Sequence, residues 1–276
     1  MLFLRYPGFL KKAITLSYDD GVIYDKQLIE IMDRFGLKGT FNVNSGFFGN
    51  VGHRRMTSED VLSLYTSYNM EVAVHGLFHI WIDRASNSEV VNEISEDRKN
   101  LERLFGVPVR GMAYPFGVFN EDVIKIADYC GIVYSRTTIA THSFDLPSRW
   151  IPLNPTCHHG DGELFNLLDR FLNMDVQRDP KLFYLWGHSY EFNDNGNWDR
   201  IEAFAEKAGG RSDIWYATNI EIYDYVKAFK SLITSFDGKI VTNPSSETIY
   251  FYYQDPGDEK NSKDYKIAPG ETIKLK

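Results

Sequence analysis

Asp19 and Asp20 stand side by side before Gly21, at the end of the apolar run Ala13, Ile14, Leu16. His75 and His79 stand four residues apart, just after a second run, Val72, Ala73, Val74. One carboxylate and two imidazoles hold a divalent ion while leaving positions for water and substrate, the ligand set of many catalytic zinc sites. A second carboxylate beside that set is placed to act as a base. These residue types point to a mononuclear metal hydrolase. Alone, an Asp-Asp-Gly is more often a surface turn, and two histidines at this spacing are more often incidental. Their joint occurrence at strand ends reverses both expectations.

The elements around them must deliver them to one place. Read for periodicity, the chain alternates apolar strand candidates with amphipathic helices. Expected strands are 13–18, 40–44, 70–74, 109–114, 132–135, 182–186 and 214–217. Expected helices run from Leu28 to Phe35, from Val61 to Tyr65, and over 88–105, 121–129, 164–172, 201–208 and 220–232. Thr57-Ser58-Glu59-Asp60 has the form of a helix start, and Gly36 that of a helix end. This order implies parallel strands joined by crossover helices, an α/β fold. About seven such strands are countable over residues 1–233, one fewer than a full eight-fold barrel. Residues 234–276 break the pattern: 239–242, 248–253 and 272–275 read as strands, separated by Asn243-Pro244-Ser245 and the polar run 255–263. They predict a small C-terminal β appendage packed on the barrel.

In a parallel α/β architecture functional groups gather at the carboxyl ends of strands. Asp19-Asp20, His75, Tyr114-Pro115 and His188 all fall at such ends. Adjacent strand residues point to opposite faces, so Asp19 and Asp20 share a site only where the strand breaks into a turn, which Gly21 permits.

Composition sets the bounds. With 276 residues, 43% hydrophobic and 25% charged, the chain can bury one large core and does not read as disordered. A net charge of −8 without a dense Lys/Arg cluster argues against a nucleic-acid partner. Cys130 and Cys157 form no CxxC pattern and are too few for a disulfide scaffold. The first residues have no basic segment followed by a long apolar one, and no apolar stretch nears the ~20 residues of a membrane helix. The expectation is a cytoplasmic protein without a membrane partner, or an extracellular one if a leader has been removed.

These residues resemble the motifs of the polysaccharide deacetylases, the NodB-homology group also called carbohydrate esterase family four. Ser17-Tyr18-Asp19-Asp20-Gly21 matches the family's Thr-Phe-Asp-Asp-Gly, and His75 to His79 matches its His-Ser/Thr-x-x-His, with Gly76 in second place. Ala113-Tyr114-Pro115-Phe116-Gly117 partly meets the third motif, an Arg-Pro-Pro-Tyr-Gly-like turn. Leu185-Trp186-Gly187-His188 meets the fifth, Leu-x-His, with one extra residue. The resemblance covers roughly residues 13 to 232. It implies a distorted (β/α) barrel of about seven parallel strands and a metal-dependent hydrolase that removes acetyl groups from a carbohydrate. By position, Asp20, His75 and His79 would bind the metal, Asp19 would be the general base and His188 the general acid. Zinc is the first expectation, with cobalt, nickel or iron compatible with the same ligands. A backbone N–H in the turn from Tyr114 to Phe116 could meet the oxyanion.

Two departures matter. Ala113 falls where the family has an arginine that contacts the base, and neither Arg110 nor Arg149 aligns with it. The fourth motif, Asp then Trp, is reduced to Ser148-Arg149-Trp150, so the acid that orients His188 is unassigned, with Glu191 and Asp145 as candidates. Tyr114, Phe116, Trp186 and His158 are expected to touch substrate, His158 as part of Cys157-His158-His159 in a long loop. Trp81 and Trp150 could stack on sugar faces. His53 and His142 have no evident partner. Two other readings survive: a C–N hydrolase of a small amide or imide, which predicts a closed pocket, and a carbohydrate-binding protein that has lost turnover.

Overall fold

The first apolar run lies inside Lys12–Asp19, a strand whose every residue is buried, as expected for a parallel strand covered on both faces. The computed structural model of the chain describes residues 1–255 and 262–275. In chain order the strands are β1 (Leu2–Arg5), β2 (Lys12–Asp19), β3 (Gly39–Val43), β4 (Glu71–Val74), β5 (Gly111–Ala113), β6 (Tyr134–Arg136), β7 (Cys157–His158), β8 (Lys181–Gly187), β9 (Ile214–Tyr216), β10 (Ile233–Thr234), β11 (Ile240–Thr242), β12 (Ile249–Tyr253), β13 (Lys263–Ile267) and β14 (Thr272–Lys274). The helices are α1 (Asp25–Arg34), α2 (Ser58–Ser67), α3 (Asn87–Phe105), α4 (Glu121–Tyr129), α5 (Leu164–Leu172), α6 (Ser189–Asp194), α7 (Trp198–Ala208) and α8 (Asn219–Lys230).

One parallel sheet runs in the order β6-β5-β4-β3-β2-β8-β7, with β9 beside the first half of β2. It contains the seven strands expected from the sequence and adds the short β7. Residues around 150–156 bridge its two ends. Ser135 donates to Trp150 O, Leu153 donates to Ser135 O, Thr137 donates to Leu153 O, and Thr156 donates to Tyr184 O of β8. The result is a curled, distorted barrel, the α/β class that the alternating pattern predicts.

The two faces of β2 explain where the chemistry lies. Ile14, Leu16 and Tyr18 join the larger apolar cluster, with Leu28 and Met32 of α1. Thr15, Ser17 and Asp19 point the other way, as period-two alternation requires. There Thr15 Oγ1 donates to Asn219 Oδ1 at 2.9 Å, and Ser17 Oγ accepts from Asn42 Nδ2 at 2.9 Å. Asp19 ends this polar file at the carboxyl edge of the sheet. Helix starts keep the crossovers in place: Thr57, Ser86 and Thr218 each form a capping box, a local device whose loss costs about 1 kcal/mol per cap.

The first strand joins a sheet of C-terminal strands. β1 pairs antiparallel with β12, and β12 with β13; a second three-stranded sheet has the order β10-β11-β14. Of the C-terminal strands, β12 therefore shares hydrogen bonds with residues 2–5. The polar run expected over 255–263 falls, at 256–261, outside the described residues. Its last residue, Lys263, opens strand β13, which is not among the strands expected from the sequence. No helix among the described residues is long and apolar enough to cross a membrane.

Candidate active site

The Asp-Asp-Gly turn begins one residue earlier than expected. Asp20 itself has φ 89°, and Gly21 follows at φ 63°, so the strand breaks at Asp20 and both carboxylates reach one side. A Cβ on Gly21 would stand 2.6 Å from Val43 Cγ1, so glycine is required there for room as well as for backbone freedom. Positive φ at an aspartate is strained, at a cost of about 1–3 kcal/mol. Arg55 holds the strained residue from the loop before α2: Nη2 donates to Asp20 Oδ1 at 2.9 Å and Nη1 to the Asp20 carbonyl.

His75 is fixed at both ends. Its N–H donates to Val43 O and to Asp97 Oδ2, and its Nδ1 donates to Ala113 O at 2.8 Å. With the proton on Nδ1, Nε2 presents a lone pair, and that atom is buried without a hydrogen-bond partner. It lies 3.9 Å from Asp20 Oδ1 and 3.8 Å from Asp19 Oδ2. Gly76, with φ 76°, starts the turn that returns His79; Asn44 Nδ2 donates to the carbonyls of His75 and Gly76. His79, at φ 53°, places Nε2 3.9 Å from Asp20 Oδ1. Burial lowers the pKa of both imidazoles, that of His79 to about 4 with the His75 charge adding to it, so both stand neutral with lone pairs available. Asp20, His75 and His79 each offer a ligand atom within 4.8 Å of the others. An orphaned buried nitrogen, a second neutral imidazole and a carboxylate fit a divalent cation of the zinc class.

Asp19 stands beside that trio, 2% exposed. Burial alone would raise its carboxyl pKa. The Arg136 guanidinium outweighs it, with His75 and His188 adding to the effect, and Asp19 is brought down to about 2. Arg136 Nη2 bonds to Asp19 Oδ2, and Asn42 Nδ2 donates to Oδ1 at 2.9 Å. Arg136 is fully buried and lies over the Trp186 ring, 4.4 Å from its centroid. It supplies what Ala113 lacks, from the next strand, and was not among the sequence candidates. Arg110 instead pairs with Asp224, and Arg149 lines a separate cavity with Asp145 and Tyr184.

His188 follows β8 and turns Nε2 to within 3.8 Å of Asp19 Oδ2. Its Nδ1 lies 3.3 Å from Oε1 of Glu191, three residues on in α6. Burial would lower this imidazole's pKa, but Glu191, then Asp19 and Asp20, hold its proton and raise it. Of the two acids proposed to orient His188, Glu191 is the one present. Asp145 pairs with Lys181 at 2.7 Å. His158 also reaches Glu191, as does His159, whose part the sequence did not reveal.

The expected substrate residues divide. Phe116 is 43% exposed at φ 57°, stacked on exposed Trp81 with centroids 4.1 Å apart and its edge toward His79. Tyr114 is buried against Phe119, so its side chain is core. Trp186 is also buried, between Arg136 and His158, and offers no free face to a sugar. In the turn, the Tyr114 N–H is spent on Arg136 O and Pro115 has none, leaving Phe116 as the turn's candidate oxyanion donor. Trp150 packs on Tyr223 in the second cluster. His142 pairs with Asp161, and His53 stacks on Phe47. Cys130 and Cys157 are free thiols.

Comparison with known proteins accords with this geometry. The family model described as polysaccharide deacetylase matches residues 8–135. The putative polysaccharide deacetylase YxkH of Bacillus subtilis is 21% identical over 130 residues, 46% of this chain and 45% of that protein. Poly-beta-1,6-N-acetyl-D-glucosamine N-deacetylase of Staphylococcus aureus is 20% identical over 147 residues, 48% of this chain and 50% of that protein. The chain thus aligns with about half the length of these curated relatives. The crystal structure of a putative polysaccharide deacetylase from Mycobacterium smegmatis superposes with a TM-score of 0.62 at 18% identity, over 83% of this chain and 94% of that one. That likeness establishes a shared fold.

Proposed function

From the match of residues 8–135 to the polysaccharide deacetylase family model, we propose that this chain is a member of that family and a metal-dependent hydrolase that removes acetyl groups from an amino sugar in a glycan. The observation that carries the reading is the buried, unpartnered Nε2 of His75 facing Asp20 and His79, with an ionised Asp19 beside them. Asp20, His75 and His79 would hold the ion. Such an ion polarises the acetyl carbonyl and makes water a usable nucleophile near neutrality.

The chain's own groups account for the protons. Asp19, kept ionised by Arg136, accepts the proton of the attacking water as the C–O bond forms. The Phe116 N–H meets the oxygen that gains negative charge. When the C–N bond breaks, His188 delivers a proton from Nε2 to the leaving nitrogen, giving acetate and a free amine. Glu191 keeps that imidazole charged until then. Exposed aromatics beside His79, namely Phe78, Trp81 and Phe116, favour an extended sugar over the closed pocket expected for a small amide.

The purified chain assayed on β-1,6-linked and β-1,4-linked N-acetylglucosamine oligomers, with metal content measured in parallel, tests the reading. Release of acetate that disappears with chelation and returns with zinc or cobalt is expected. Stoichiometric metal without acetate release from any acetylated sugar would leave the carbohydrate-binding alternative.

A further inference from the structure

Three imidazoles close on one carboxylate at the edge of this site. Nε2 of His158 and Nε2 of His159 lie 3.0 Å and 2.8 Å from Oε2 of Glu191, while Nδ1 of His188 lies 3.3 Å from Oε1. The register of β7 on β8 sets His158 opposite Trp186, and the His159 N–H donates to Trp186 O. Gly187 makes the room, since a Cβ there would stand 2.1 Å from His159 Nδ1.

His158, His188 and Glu191 have the donor types and spacing of a second cation site. One bond decides against that use. The Gly160 N–H donates to Nδ1 of His158 at 3.0 Å, so this nitrogen keeps its lone pair and the ring's proton sits on Nε2, facing Glu191. A protonated ring nitrogen cannot ligate, and metal-bound imidazoles donate from their other nitrogen. His159 behaves alike. Burial and the neighbouring His158 lower its pKa to about 4 despite the Glu191 contact, so it is neutral, and its buried Nδ1 has no partner. Nε2, 2.8 Å from Oε2, is therefore the nitrogen placed to carry its single N–H.

With two imidazole nitrogens within 3.0 Å of Oε2, Oε1 is left as the oxygen facing His188. An imidazole that gives Nδ1–H to a carboxylate turns Nε2 outward, and His188 Nε2 faces Asp19. We propose that His158 and His159 are positioning residues: by donating to Oε2 they hold Glu191 so that Oε1 fixes His188 as the Nδ1–H tautomer, with Nε2 toward Asp19 and the substrate. The catalytic consequence rests on His188 being the acid, whereas the tautomer is a property of the chain alone.

Isotope-labelled histidine in this chain, read by long-range proton–nitrogen correlation above the His188 titration, reports each tautomer directly. The expected pattern is Nε2–H for His158 and His159 and Nδ1–H for His188. His158→Phe keeps a ring against Trp186 but removes the donor, and should give His188 a mixed tautomer; His158→Gln, which restores an N–H, should recover the single one. His158 is part-exposed, its side chain at 27%, and so tolerates change better than His159. Turnover of acetylated oligosaccharide should fall on the order of 10-fold in His158→Phe with KM unchanged, and return toward the parent value in His158→Gln. An Nε2–H His188 in the parent chain, or an unaltered His188 pattern in His158→Phe, overturns the proposal. A tautomer change with full turnover upholds the positioning and instead removes His188 from the role of acid.

Discussion

Ala113 of β5 and Arg136 of β6 are register partners across two parallel strands, so the guanidinium reaches Asp19 from the strand beside the one on which the family motif places it. The charge has moved sideways by one strand while its target has stayed. This explains how a chain with alanine in the third motif still holds Asp19 ionised.

The relocation is testable by moving the arginine back. Arg136→Ala leaves the Asp19 carboxylate buried and unpaired, a change that destabilises by about 3–5 kcal/mol, and turnover should fall on the order of 10²-fold. Ala113→Arg added to Arg136→Ala should recover part of both. Thermal unfolding and acetate release on the same preparations check it, and a double variant no better than the single would show that the two positions are not interchangeable.

Asp19→Asn should keep the metal and lose most activity, on the order of 10²- to 10⁴-fold, because the amide preserves shape but accepts no proton. His79→Ala should lose metal and activity together. Elemental analysis beside the assay separates them. Metal loss in Asp19→Asn would mean that the two aspartates have exchanged roles.

Legibility followed sequence proximity. Asp19-Asp20-Gly21 and His75 to His79 are contiguous segments whose meaning survives without a fold. Glu191 was within reach too, since a helix starting after His188 puts the third residue on the same face, but without α6 it stood level with Asp145. Arg136 and His159 could not be read, because what makes them site residues is the register of β6 on β5 and of β7 on β8. Tyr114 and Trp186 failed for a related reason: each stands beside a motif residue, yet its side chain is buried in the fold. β7 and β13 escaped because a two-residue strand has no period and Lys263–Ile267 is too polar to signal one.

Asp25 supplies a pH effect on stability. It is fully buried, accepting from Tyr65 Oη at 2.7 Å and from Ser189 Oγ, and burial raises its pKa from 3.8 to about 7 despite those bonds. A carboxyl raised on folding contributes stability that is full below its unfolded value and is lost as pH rises through the folded one. At 1.36 kcal/mol per unit this is on the order of 4 kcal/mol between those limits. Asp25→Asn should flatten that fall. Urea unfolding of both proteins from about pH 4 to above pH 7 measures it, and parallel curves would mean that Asp25 ionises in the native state at its ordinary pKa.

His188 must be protonated when it meets the leaving nitrogen, so turnover should decline on an alkaline limb set by its own titration. Because Glu191, Asp19 and Asp20 together overcome the effect of burial, that limb should lie above the ordinary imidazole value of 6.5. Glu191→Gln removes the strongest of the three supports and should move the limb to lower pH, since the charged form of His188 loses its partner. His188→Ala should abolish the limb. The substrate supplies the discriminating control: an amide leaves as an amine and needs the proton, whereas an aryl acetate leaves as a stable phenolate and needs little. His188→Ala should therefore cost far more on N-acetylated sugar than on the aryl ester. Equal losses on both would place His188 on the oxyanion or the sugar instead of the leaving group.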